Sequence, residues 1–381
     1  MRKVCVVTGT RAEYGLFLPI LKKIKESKKL RLQLVVSTMH LSSEFGSTYK
    51  QIEDDGFLID EKVENLLSAD TKSAIAKSTG LATILLSDCF TRLQPDVVLL
   101  LGDRYETHAA ATTAMLMNIP IAHIHGGEIT EGAVDEQIRH SISKMSCLHF
   151  VATEKYRQRL MQMGEKASRV IKSGAPGIDN VLNFQFLKKR DLEKELNWCF
   201  GELSALVTYH SETLSDKNVG DEVNELLDNL LHTKLNILFT YANADDSGRV
   251  INQSLEDFCQ SHPKRFKVVK NLGQLRYLSC MKHVDLLIGN TSSGIIEAAS
   301  FNKPVVNIGN RQKGRLQSGN VVNCSVSTLT EGVKRACSNS FKQKCSTVVN
   351  VYGDGQSAAL IIRELEKQAF SPIKTFVDAG E

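Results

Sequence analysis

Short apolar runs bounded by turn-forming residues recur along the chain in two sets. The first set is Val4–Thr8, Leu32–Ser37, Val97–Leu101, Ile119–Ile124 and Leu148–Ala152. The second is Ala205–Tyr209, Asn236–Thr240, Phe266–Val269, Asp285–Gly289 and Val305–Ile308. Most are rich in Val, Ile and Leu without polar alternation, the pattern of strands buried on both faces. Between them apolar residues recur at spacings of three and four, as in Leu16, Ile20, Leu21 and Ile24, or Val223, Leu226, Leu227 and Leu230. That spacing predicts helices with one apolar face. Strand and helix alternating over this length predict parallel sheets with crossover helices. Two similar sets predict two Rossmann-like α/β domains with a deep cleft between them.

The segment from Ser173 to Asp179 concentrates turn formers, and the domain boundary is placed at its end. The expected division is residues 1–178 and 179–356, with a C-terminal helix in 357–381 packing back onto the first domain. Residues 188–195 read as a charged, exposed helix. The glycine turn Tyr352-Gly353-Asp354-Gly355 leads into the last helix-like run, Ser357–Ala369.

Composition supports this picture and narrows the partners. The 381 residues are 42% hydrophobic and 24% charged, enough for a large core. Net charge is +4 with both signs interleaved, which argues against a broad nucleic-acid surface. Nine scattered cysteines form no CxxC pair, so zinc and a disulfide framework are not expected and a reducing compartment fits. No run approaches the roughly 20 apolar residues that span a bilayer. The expected setting is cytoplasmic, with neither membrane nor nucleic acid as partner.

In open parallel sheets ligands sit beyond the carboxyl ends of the strands, so chemistry is sought in the loops there. The first loop, from Thr8 to Gly15, is neither a dinucleotide fingerprint nor a P-loop. It places Arg11 at a strand end near a helix N-terminus, where it can meet an anion or simply cap a surface turn. Gly102-Asp103-Arg104-Tyr105-Glu106 ends another strand. Asp103 there reads as a base or as the cap of the following helix. The stretch His123-Ile124-His125-Gly126-Gly127-Glu128 and the helix-like Val134–His140 gather further acid–base groups. Asp135 and Arg139 share a face by their spacing and could equally form a surface ion pair. Several such groups together favour proton transfer over a metal centre.

In the second half, His210 and Asn243 each follow a strand. Gly289-Asn290-Thr291-Ser292-Ser293-Gly294 runs from a strand end into a helix. Its amides and hydroxyls can cradle a diphosphate. Glu297, one turn on, can accept from a ribose diol, and Arg311 adds a second cation.

Taken together, the segments GTRAEYG, GDRYE, HIHGGE, VDEQIRH, GNTSSGIIE, VNIGNRQKGR and YGDG resemble the UDP-N-acetylglucosamine 2-epimerase family over nearly the whole chain. The resemblance points most closely to its hydrolysing branch from sialic acid-type sugar biosynthesis. It implies a fold of the GT-B type, a homodimer or larger homo-oligomer, and UDP held mainly by the second domain. His210, Thr291, Ser292, Ser293 and Arg311 match phosphate positions and Glu297 the ribose position. Arg11 would reach the diphosphate, while Asp103, Arg104 and Asp135 match positions at the sugar. One departure bears on the chemistry. Many relatives carry an acid where this chain has His125, so here either His125 or Glu128 takes that task. Leu16 stands where some relatives have a lysine.

The implied reaction removes the C2 proton of a 2-acetamido sugar as UDP leaves C1, giving a glycal. Water then adds at C1 and a proton returns to C2 from the opposite face. Asp103, His125, Glu128 and Asp135 form the pool of acid–base candidates. Arg11, Arg104, Arg139, His210, Asn243, Thr291–Gly294, Glu297 and Arg311 are the binding candidates. No cofactor or metal is required. UDP-N-acetylglucosamine is the first-choice substrate, giving N-acetylmannosamine. The alternatives are the 4-acetamido-6-deoxy analogue of legionaminic acid biosynthesis, a non-hydrolysing epimerase, a GT-B glycosyltransferase, and a non-catalytic nucleotide-sugar sensor.

Overall fold

The computed structural model describes residues 1–67, 71–131, 134–210, 218–242 and 248–378. The chain divides into two compact units. One is Met1–Glu128 with Val134–Asn180 and Tyr352–Glu381; the other is Ile129–Ala133 with Val181–Val351.

The first unit holds seven parallel strands: β1 (Arg2–Thr8), β2 (Leu30–Ser37), β3 (Glu61–Val63), β4 (Val97–Leu101), β5 (Ile121–Ile124), β6 (Leu148–Val151) and β7 (Val170–Lys172). Their order is β3-β2-β1-β4-β5-β6-β7. Val4 pairs with Leu32 on one side and Val97 on the other. One face of the sheet buries Phe17, Ile20, Leu21 and Ile24 of helix Arg11–Glu26, with Ile361 and Leu365 of the last helix, Ser357–Lys367. The other face buries Leu86 and Phe90 of helix Lys72–Leu93 and the small residues Ala109, Ala110, Ala111 and Ala114 of helix Tyr105–Leu116. Strand order reverses between β1 and β4, so the loops after these two strands diverge over an open switch point.

The turn-rich segment 173–179 does more than punctuate the chain. A helix begins inside it, Pro176–Asn183, as a proline in the first helical position favours. Asp179 then caps the last helix, accepting from the amides of Ser357 at 3.0 Å and Ala358 at 2.7 Å. Ser357 Oγ donates to the Gly174 carbonyl at 3.0 Å. The final helix is therefore fastened at its first turn as well as along its apolar face.

The second unit has six parallel strands: β8 (Ser204–Thr208), β9 (Asn236–Thr240), β10 (Phe266–Val269), β11 (Leu286–Gly289), β12 (Val305–Ile308) and β13 (Val321–Cys324). The order is β10-β9-β8-β11-β12-β13, again reversing beside the first strand. The two units are Rossmann-like domains of the GT-B type.

The apolar-run reading misses β3, β7 and β13. All three lie at sheet edges and are three or four residues long. At an edge a strand is covered on fewer sides, so β3 and β7 carry charge and β13 is broken by Asn323, and none of the three shows an apolar run. Among the described residues no helix is long and apolar enough to cross a membrane.

Candidate active site

In the first unit the acid–base candidates lie at the carboxyl ends of β4 and β5. Gly102 turns the chain with φ +82°, presenting Asp103. Its carbonyl accepts from His123 Nε2 at 2.7 Å, and His123 Nδ1 lies 3.2 Å from Ser143 Oγ. A carbonyl only accepts, so Nε2 carries the proton and Nδ1 takes the hydroxyl's. Burial pushes His123 down to about 3, so this ring stays neutral and holds the Asp103 turn from beneath.

Asp103 is ion-paired to Arg139 Nη2. Arg139, read from the sequence as a ligand contact, is only 1% exposed. It also faces Glu136 at 3.5 Å and donates to the Glu128 carbonyl at 3.0 Å. Its work is to fix Asp103 and the end of the glycine loop. The alternative of a surface ion pair between Arg139 and Asp135 gives way to these partners. Asp135 is half-buried, and burial, with Asp103 nearby, raises its carboxyl above the ordinary value.

After β5, His125 takes a left-handed backbone conformation, φ +67°, uncommon for a residue with a side chain. Its amide bonds to the Phe150 carbonyl, and its ring turns toward Glu128, with Nδ1 2.6 Å from Oε1. Glu128 is buried at 2% exposure. A carboxylate on Nδ1 fixes the tautomer and leaves Nε2 as the ring atom that can exchange a proton. Arg104 caps the helix Tyr105–Leu116 by backbone position, and its Nε meets Glu106 Oε1 at 2.5 Å. Arg11 opens helix Arg11–Glu26 and is exposed.

In the second unit the candidates converge on one residue that motif reading passed over. Asn290 is fully buried. Its Oδ1 accepts from the His210 amide and its Nδ2 donates to the His210 carbonyl, both at 2.8 Å. Its own carbonyl accepts from Arg311 Nη1 at 3.1 Å and Gln312 Nε2 at 2.8 Å. Asn290 thus ties together the loops after β8, β11 and β12. Gly289 precedes it with φ +131°, and a Cβ there would strike the Thr208 carbonyl, so only glycine fits.

His210 is buried, and burial with Arg311 beside it pushes its pKa down to about 3. It acts as a neutral hydrogen-bonding group near neutral pH, not as the cation that a phosphate contact suggests. Thr291, Ser292 and Ser293 are half-buried, and the Thr291 side chain makes no capping bond to the helix Ser292–Ile296. That helix is only five residues long, so Glu297 stands at its end rather than within it. Thr208, Tyr277, Thr291 and Gly294 line a small cavity under this loop. The sequence gives no motif signal for Tyr277. Asn243, and Ser211 to Thr213 after His210, lie outside the described residues. Among the described residues no cluster of His, Cys, Asp and Glu is arranged to hold a metal ion.

Comparison with known proteins adds the reaction class. The family model of UDP-N-acetylglucosamine 2-epimerase matches residues 22–366. The chain belongs to this family. It is an enzyme of the nucleotide-sugar 2-epimerase type. A relative from Campylobacter jejuni, the GDP/UDP-N,N'-diacetylbacillosamine 2-epimerase (hydrolyzing), is 45% identical over 90% of this chain and 89% of its own. A UDP-N,N'-diacetylbacillosamine 2-epimerase (hydrolyzing) from Legionella pneumophila is 37% identical, covering 94% of each chain. A crystal structure of UDP-GlcNAc 2-epimerase from Neisseria meningitidis bound to UDP-GlcNAc superposes with a TM-score of 0.83. It covers 96% of this chain and 100% of that one at 19% identity, a likeness of fold.

Proposed function

We propose that this 2-epimerase works by hydrolysis on UDP-linked 2,4-diacetamido-2,4,6-trideoxyglucose (UDP-N,N'-diacetylbacillosamine), releasing UDP and the free 2-epimer. The two relatives at 45% and 37% identity, both named for that sugar, weigh toward it over UDP-N-acetylglucosamine. The observation that carries the chemistry is the buried Glu128 carboxylate on His125 Nδ1. The carboxylate on Nδ1 fixes the ring so that Nε2 is its proton-accepting atom, and Nε2 takes the C2 proton as the C1–O bond to UDP breaks. The bond electrons leave with the diphosphate and a 2-acetamidoglycal remains. Asp135, whose carboxyl is raised toward the protonated form, then gives a proton to C2 from the other face, water adds its oxygen at C1 and its released proton restores Asp135, and His125 passes the proton it took to solvent. Asp103 and Arg104 hold the sugar. In the second unit Arg311, Ser292 and Ser293 hold the departing diphosphate, neutral His210 donates to it, and Glu297 takes the ribose.

The test is turnover of UDP-N,N'-diacetylbacillosamine, its GDP counterpart and UDP-N-acetylglucosamine in deuterated water. The expected result is UDP release with one deuterium at C2 of the free product, fastest on the diacetamido sugar. Retention of the C2 proton excludes the elimination route and favours transfer to an acceptor. Product still bearing UDP identifies a non-hydrolysing epimerase.

A further inference from the structure

Two carboxylates without a part in the proposed chemistry lie beneath the loop after β1, each in the first turn of a helix. Glu13 Oε2 accepts from the amides of Gly9 at 2.8 Å and Thr10 at 3.2 Å, and Oε1 accepts from Thr107 Oγ1 at 3.2 Å. Glu106 Oε1 accepts from Arg104 Nε at 2.5 Å. Its Oε2 is buried with no hydrogen-bond partner among the described residues. The approach of Glu106 to the loop is close. A Cβ on Gly9 would lie 2.6 Å from both Cγ and Oε1 of Glu106. Gly9 is therefore glycine because a carboxylate fills the space of a side chain.

Stability alone does not account for this arrangement. A buried ion pair is a weak stabiliser, and an unpaired buried polar atom costs about 1–3 kcal/mol. Two carboxyls against one guanidinium also leave a surplus of negative charge. Burial, with Glu106 beside it, accordingly pushes Glu13 up to about 7. An apolar residue of similar volume at position 106 would fill the space without these costs. What an apolar residue would not do is orient the Arg104 guanidinium relative to the loop carrying Arg11.

We propose that Glu106 is a positioning residue: pressed against Gly9 and bonded to Arg104, it locks the Gly9–Arg11 loop and the Arg104 guanidinium into one rigid anion-facing unit. This rests on the reading above that Arg11 and Arg104 meet the nucleotide sugar. Glu106 touches neither substrate nor reacting atoms, and it acts through Arg104 and the main chain at Gly9.

The experiment is a mutant cycle read by kcat and KM, on protein whose melting temperature is measured for every variant. Wild-type turnover comes first, because its absence overturns the functional reading and not the positioning. E106Q keeps the shape and removes the charge. A misplacement on the ångström scale costs about a hundredfold in rate, so E106Q and R104A should each lower kcat by roughly tenfold to a hundredfold. E106Q/R104A should be no slower than R104A alone, with the melting temperature close to wild type. G9A tests the same contact from the other side: it should lower kcat in the wild-type background and cost nothing further in E106A, where the methyl group fits. Losses that multiply in either double variant, or an E106Q enzyme with wild-type kcat, overturn the proposal.

Discussion

The strand-end loops of the two units solve different physical problems with different side chains. In the first unit they are dense with ionisable groups that are paired internally: Asp103 with Arg139, Arg104 with Glu106, His125 with Glu128. In the second unit the frame rests largely on neutral groups, with Arg311 joining them. Asn290 and Gln312 brace the loops through amides, and His210 is kept uncharged. On the proposed function, the difference matches a division of labour. Groups that move protons need pKa values set by close charged neighbours and burial. An anion that must be held and then released needs fixed dipoles, which do not titrate.

The sharpest way to break this comparison is at His125. H125A should lower kcat by about a thousandfold, the usual range for loss of a general base, with UDP affinity nearly unchanged. E128Q should cost less, because the ring remains but loses its orientation. Calorimetry showing that H125A abolishes UDP binding would merge the two roles and defeat the contrast.

A smaller effect is expected in the second unit. N290A removes the partners of the His210 amide and carbonyl and leaves buried groups unmet, at roughly 3 kcal/mol in stability. UDP affinity should fall with it, measured on protein still folded at low temperature. A variant that melts lower yet binds UDP as before would show that the brace serves folding alone.

The smallest effect concerns acid. His210 has a folded pKa near 3, below the ordinary 6.5, so the unfolded chain takes up a proton first as pH falls. Its contribution to stability is whole above about 6.5 and is lost progressively toward 3, roughly 2 kcal/mol by pH 5. H210Q should remove that part of the acid slope in thermal melts. Binding of UDP-glucose, whose diphosphate does not titrate in this range, should show no step near pH 6.5. A step there would mean that His210 gains its proton in the folded enzyme.

Much of the fold was legible because buried parallel strands advertise themselves as apolar runs. Three of the edge strands were not, since β3, β7 and β13 are short and partly wet. The candidate site was nominated where a residue type announces chemistry, as at His125, Glu128 and Asp103. It was illegible where an ordinary residue works through position. Nothing in the order of residues marks Asn290 as the tie between three loops, or His123 as the support under Gly102. Glu13 did carry a signal, since Thr10 and Glu13 have the spacing of a helix capping box, and the structure forms it.

The order of residues by itself determined the alternation of strand and helix, the glycines at strand ends, and the chemical types gathered in each loop. These are local properties, governed by side-chain burial and backbone freedom over a few residues. Only the tertiary structure decided which of those groups are free to react and which are committed to one another. Arg139 became internal framework, His210 became a buried neutral ring, and Gly9 owes its identity to a carboxylate nearly a hundred residues away. Each of those outcomes depends on burial and on distances across the sheet, which spacing along the chain does not contain.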